Sequence, residues 1–228
     1  MLTINALCWL CQQPLWFSRQ GICRCCADYL LNRRETCCPR CGLPAGSRRL
    51  CCGRCLLKTP PWESLLYVTD YRPPLSGLVK KLKYQGGTGL ARVLARLLLL
   101  RWLEERHLHR CDKPDLVLNV PLHTYRHWRR GYNQTDLLAR PLARWLGVEY
   151  LSLGLERIRA VVPQQTLHAG DRRRNLHGAF ACHADVAGKT VALVDDVITT
   201  GSTMDEITHI LLAQRARAVQ VWSVCRTL

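Results

Sequence analysis

LVDDVITTGST, residues 193–203, sets two adjacent acids, Asp195 and Asp196, at the end of the apolar run VALV, then opens a helix through Thr199, Thr200, Gly201, Ser202 and Thr203. In open α/β sheets ligands sit beyond the carboxyl ends of strands. A short Gly/Thr/Ser turn at a helix start there points backbone N–H groups and hydroxyls at an anion, and the helix dipole adds to the attraction. A phosphate fits that turn. The two carboxylates in front of it would repel the same phosphate, so they are expected to accept hydrogen bonds from hydroxyls of the sugar that carries it. The ligand these residues describe is a ribose 5-phosphate. If positive charge develops at C1 as a leaving group departs, Asp195 and Asp196 lie on the side where they would stabilise it. The turn alone would equally suit a surface helix with Ser and Thr caps; the strand and the acids before it favour the ligand.

Outward from this stretch, strands and helices alternate. ESLLYVTDY (63–71) reads as a strand, LSGLVKKLKYQ (75–85) and residues 90–106 as helices, and DLVLNVPL (115–122) as a strand ending near Pro121. NQTDLLARPLARWLG (133–147) has helical spacing, with Asn133 as its cap, Gly147 as its stop, and Pro141 expected to kink or split it. VEYLSLGL (148–155) reads as a strand and residues 159–180 as a long polar loop entering another. TVALVDDV (190–197), STMDEITHILLAQR (202–215) and AVQVWSVCRTL (218–228) complete a strand, helix, strand series. The order implies an α/β domain with a mainly parallel sheet.

Residues 1–57 follow no such period. Eleven of the 14 cysteines fall between Cys8 and Cys55 among Pro and Gly turns. The start of the chain lacks a basic region followed by an unbroken apolar one, so it does not read as a secretory signal, and thiols kept reduced in the cytosol serve as metal ligands. Cys8 and Cys11 with Cys23 and Cys26 form two CxxC pairs, and Cys38 and Cys41 with Cys52 and Cys55 repeat the arrangement. Each set offers four thiolates for tetrahedral, structural Zn²⁺. Two zinc ribbons are the simplest reading. Cys25, Cys37 and Cys51 adjoin these ligands, which leaves open a slipped register, pairing across the sets, or a single zinc. Cys111, Cys182 and Cys225 read as buried small hydrophobes. The expected division is 1–58 for the ribbons and 59–228 for the α/β domain.

Lysine and arginine outnumber aspartate and glutamate 33 to 17, a net charge of +16 that favours polyanionic partners. Residues 1–60 carry nine basic and two acidic side chains, making the cysteine-rich segment the more basic per residue. Arg33, Arg34, Arg48 and Arg49 could meet a polynucleotide; Trp9 and Trp16 could stack on bases, but are expected to fill the ribbon's small core. The most apolar stretch, residues 90–103, is interrupted by Arg92, Arg96 and Arg101 and is shorter than the ~20 residues of a bilayer span. The expected location is cytoplasmic, with peripheral attachment at the inner membrane as an alternative.

LVDDVITTGST resembles the phosphoribosyl diphosphate (PRPP) motif of type I phosphoribosyltransferases. The whole chain resembles the ComF/GntX family of competence-type, DNA-uptake and utilisation proteins, through its paired CxxC motifs, LVKKLKYQG (78–86), VPLHTYRHWRRGYNQ (120–134), PQQTLHAGDRRRNLHGAF (163–180) and the 193–203 turn. The resemblance implies a type I phosphoribosyltransferase fold behind a small zinc-ribbon module, with Asp195 and Asp196 as the catalytic acids and Thr199–Thr203 on the 5-phosphate. Pro121, Leu122, His123 and Arg126 would take the diphosphate, while Arg129, Arg130, Arg172, Arg173 and Arg174 would contact phosphates or nucleic acid. Mg²⁺ would arrive with PRPP. Single-stranded DNA and a DNA-import helicase or pore are the implied partners. Two functions compete: a PRPP-dependent transferase in DNA utilisation, and a non-catalytic, PRPP-responsive DNA-binding adaptor of the import machinery.

Overall fold

The computed structural model describes residues 6–17, 20–32, 36–47, 49–108, 111–122, 130–159 and 176–227. Five strands, β1 (Ser64–Asp70), β2 (Leu116–Asn119), β3 (Glu149–Tyr150), β6 (Thr190–Ile198) and β7 (Ala218–Arg226), form one sheet in the order β1-β7-β6-β2-β3. Every pairing in it is parallel. β4 (Leu155–Arg157) and β5 (Phe180–Cys182) make a separate antiparallel pair.

The central strands are apolar on both faces because helices cover both. On one face Val117, Ala192, Val194, Trp222 and Val224 pack with α3 (Leu75–Tyr84), α4 (Gly89–His107) and α5 (Gln134–Leu146). On the other, Leu118, Val191, Leu193 and Val221 meet α6 (Ser202–Ala213) and the β4/β5 pair. Connections from β2 and from β6 thus leave in opposite senses, and the reversal lies between these neighbouring strands. That is where an open α/β sheet leaves a crevice at its carboxyl edge.

Local signals act as expected at α5. The Asn133 side chain accepts from Thr135 N, and Gly147 ends the helix in the left-handed conformation (φ 62°). Pro141 neither splits nor ends it: the helix runs through, with Leu138, Ala139, Leu142, Ala143 and Leu146 all buried. One lost backbone bond is outweighed by a full apolar face. The expected strand over 148–155 is divided instead. Gly154 N bonds back to Leu151 O, and the flanking pieces join different sheets.

The cysteine-rich segment is built into the same core. Cys8, Leu15, Ile22, Ala27 and Leu30, the last two on α1 (Arg24–Asn32), pack beneath α4. Arg101 of α4 is buried and donates to the carbonyls of Leu31 and Val68, tying α1 and β1 to the helix. Trp9 and Trp16 do not fill this core. Trp16 is 98% exposed and Trp9 43%, because aliphatic side chains shared with α4 already occupy the interior. Among the described residues no helix is long and apolar enough to cross a membrane.

Candidate functional site

Consecutive residues of a strand face opposite sides of its sheet, and the two acids obey this. Asp196 turns to the α3 face, where its Oδ1 lies 2.9 Å from Lys83 Nζ. It is 3% exposed, and its Oδ2 has no hydrogen-bond partner among the described residues. Asp195 turns the other way, into a pocket it lines with Thr199, Gly201, Ser202, Thr203 and Met204. The Asp196 N–H donates to its Oδ1 at 2.7 Å. Burial and then the neighbouring Asp196 charge push the Asp195 carboxyl up to about 7, with Lys83 acting in the opposite sense. Burial works against the Lys83 ammonium, but Asp196 overcomes it and holds that group above its ordinary value.

The turn after β6 is shaped for an anion. Gly201 starts α6 with φ 82°, a conformation costly for any residue with a Cβ. The Thr200 and Ser202 hydroxyls lie 2.9 Å apart, and Asp205 N closes the first helical turn on Gly201 O. Pro121 and Leu122 leave the carboxyl end of β2 directly alongside, where Val120 N bonds to Val194 O at 3.0 Å. Arg130 bonds to Gln134 at 2.9 Å and stacks over Tyr84, 4.9 Å from its ring centre. His123, Arg126, Arg129, Arg172, Arg173 and Arg174 lie outside the described residues, as do Arg33, Arg34 and Arg48. Arg49 is exposed.

Lys83 was not singled out by the sequence, although a signal existed. It falls one residue after Leu82 and four after Val79, at the edge of a buried helical stripe, where a lysine needs a partner. Trp62 and Arg226 were missed likewise. Trp62 backs the turn, its ring 3.1 Å from where a Cβ on Gly201 would stand. Arg226, at the carboxyl end of β7, donates to the carbonyls of Ile198 and Thr199.

The cysteines form two separate tetrads, Cys8/Cys11/Cys23/Cys26 and Cys38/Cys41/Cys52/Cys55, the last on α2 (Gly53–Leu57), with all four sulfurs of each within 4.8 Å of one another. The two knuckles match bond for bond: Cys8 N donates to Gln13 O and Gln12 N to Cys8 O, while Cys38 N donates to Leu43 O and Gly42 N to Cys38 O. Sulfur separations of 3.7 Å (Cys11–Cys23), 3.9 Å (Cys38–Cys55) and 3.6 Å (Cys41–Cys52) fit the ~3.8 Å edge of a tetrahedron with Zn–S of about 2.3 Å. Backbone N–H groups of Cys23 and Cys52 point at Cys8 and Cys38 sulfurs, where they would offset thiolate charge. Each tetrad can therefore hold a zinc ion, and among the described residues no pairing crosses the sets. Cys25 is exposed, and Cys37 is buried with its sulfur 3.1 Å from the Tyr67 hydroxyl oxygen. Cys111 and Cys225 are buried, whereas Cys182 is only partly so.

The chain is similar in sequence to known proteins. Residues 138–227 match the phosphoribosyl transferase domain family. The chain is 50% identical to a DNA utilization protein YhgH of Salmonella typhi across the whole of both chains. It is 36% identical to Competence protein F of Haemophilus influenzae, covering 97% of each. Among solved structures, the glutamine PRPP amidotransferase of B. subtilis aligns over 63% of this chain and 30% of its own, at 23% identity and a TM-score of 0.40. The family match and the parallel sheet with helices on both faces make this a type I phosphoribosyltransferase fold, preceded by cysteine clusters that fit zinc ribbons. The chain belongs to the ComF/GntX family of DNA utilisation and competence proteins and carries a phosphoribosyl transferase domain.

Proposed function

We propose that the chain binds PRPP as its Mg²⁺ complex at the carboxyl edge of β6 and β2, and acts as a phosphoribosyltransferase-like protein in the use of imported DNA, handling single strands on the cytoplasmic side. The observation that carries this reading is the pocket of Asp195, Thr199, Gly201, Ser202 and Thr203, which pairs a sugar-hydroxyl acceptor with a phosphate-binding helix start.

In this reading the turn takes the 5-phosphate and Asp195 accepts from a ribose hydroxyl. Asp196, paired with Lys83 on the opposite face of the sheet, acts as the second acid through its charge, and the backbone around Pro121 and Leu122 faces the diphosphate. His123, Arg126, Arg129 and Arg130, with Arg172, Arg173 and Arg174, supply further donors to phosphates or to the strand. Mg²⁺ comes with the ligand rather than through a dedicated cage of acids, and it would supply charge neutralisation on the diphosphate. Residues 1–58 form a zinc-loaded basic module beside the 59–228 domain. An import helicase or pore is the expected protein partner.

The test is diphosphate release from PRPP in the presence of nucleobases and single-stranded oligonucleotides. Release with any of them supports the transferase. Bound PRPP with no release across the set makes the protein a PRPP-responsive adaptor, and no bound PRPP refutes both.

A further inference from the structure

The knuckle of the second tetrad is fastened to the α/β domain on several sides. Arg40 Nη1 donates to Trp62 O and Trp62 Nε1 donates back to Arg40 O, both at 2.6 Å. Leu65 N donates to Pro39 O at 2.9 Å, and the Tyr67 hydroxyl to Gly42 O at 2.8 Å. The approach is tight: a Cβ on Gly42 would fall 2.7 Å from the Tyr67 ring.

The same groups reach the 198–201 turn. Trp62 packs under Gly201. Arg226 is 7% exposed and spends its guanidinium on three carbonyls: Nε on Cys41 O at 3.1 Å, and Nη1 on Ile198 O at 3.3 Å and on Thr199 O. One buried cation therefore joins a tetrad residue to the start of the turn. Beside it a cavity of about 140 Å³ is shared by Cys41, Cys55, Trp62, Gly201, Ser202 and Arg226. The first tetrad has no such link among the described residues. It sits on the opposite face of the sheet, with Gly21 against Val93 of α4 and Cys8 in the core beneath it.

We propose that Arg226 is a positioning residue through which metal in the second tetrad, and not the first, holds the sugar-phosphate turn in its binding conformation. With metal bound, the Cys41 carbonyl is fixed. Arg226 then keeps the Ile198 and Thr199 carbonyls drawn toward β7, which leaves the following N–H groups facing the pocket. The proposal rests on reading 199–203 as the sugar-phosphate turn. Linkage is reciprocal, so ligand on the turn must strengthen metal retention by the second tetrad, by the ~5- to 150-fold usual for coupled sites.

The test uses full-length, zinc-loaded protein. Pulsed alkylation under a zinc chelator, read by mass spectrometry, follows the two tetrads separately with and without saturating Mg²⁺–PRPP, and calorimetry verifies occupancy. PRPP is expected to slow alkylation of Cys38, Cys41, Cys52 and Cys55 at least fivefold and to leave Cys8, Cys11, Cys23 and Cys26 unchanged. Arg226→Lys keeps the charge, but a single ammonium cannot span both sets of carbonyls, so it should abolish the selective slowing. Equal slowing of both tetrads, no slowing with PRPP bound, or full selectivity in Arg226→Lys overturns the coupling alone. Failure of PRPP to bind overturns the sugar-phosphate reading and the coupling with it.

Discussion

Asp195→Asn should make the protein more stable, with the gain growing as pH rises. Asp195 is partly buried at the end of β6, and burial together with Asp196 pushes its carboxyl from 3.8 up to about 7. A carboxyl whose value is raised on folding binds its proton more tightly in the native chain. Its contribution is therefore best at low pH and is lost as pH climbs from the unfolded value to the folded one. At ~1.36 kcal/mol per pH unit the full rise amounts to on the order of 4 kcal/mol. Between pH 5.5 and 8, where zinc thiolates persist, the part that falls before pH 7 is about 2 kcal/mol. Asparagine carries no charge to desolvate, and its Oδ1 can still accept from Asp196 N, the bond seen at 2.7 Å. Urea unfolding of both proteins at pH 5.5 and 8 checks this. The advantage of the variant should widen by about 2 kcal/mol from the lower to the higher pH. An advantage independent of pH, or a loss at pH 8, would refute the assignment of Asp195 as a strained, ligand-facing acid.

Other outcomes follow from the same contacts. Lys83→Met strands Asp196 in a buried setting, since the two side chains are 18% and 4% exposed. It should cost roughly 3 kcal/mol in chemical denaturation, with much of that recovered in Lys83→Met/Asp196→Asn. Gly201→Ala forces a left-handed alanine against Trp62, so it should lower stability by about 1–2 kcal/mol and weaken PRPP binding measured by calorimetry. Elemental analysis of purified protein should find two zinc ions per chain; one per chain would contradict two independent tetrads.

The strand, turn and helix of 190–213 were readable because each signal is local: an apolar run, a glycine where φ must be positive, and helical spacing after it. The helices 75–84 and 89–107 were equally legible. The break within 148–155 was not, because Leu151 and Leu155 are apolar in either case, and only the fold decides that one piece pairs with β2 and the other with β5. The tetrads could be read from CxxC spacing, whereas their register could not, since Cys25, Cys37 and Cys51 offer the same chemistry one residue away. The site was half visible. Two adjacent aspartates on a strand must diverge, yet which one meets the pocket depends on Lys83, more than 110 residues earlier in the chain. Arg226 and Trp62 act through carbonyls and ring packing on the turn, and neither leaves a motif.

The most direct test of the central claim is calorimetric titration of the zinc-loaded protein with PRPP and Mg²⁺, beside the Asp195→Asn variant. At pH 8, where Asp195 is ionised, the account predicts one PRPP per chain and an affinity reduced about tenfold or more in the variant, the cost of losing a charge-assisted hydrogen bond to the sugar. No binding to the native protein, or equal affinity in the two proteins, would contradict it.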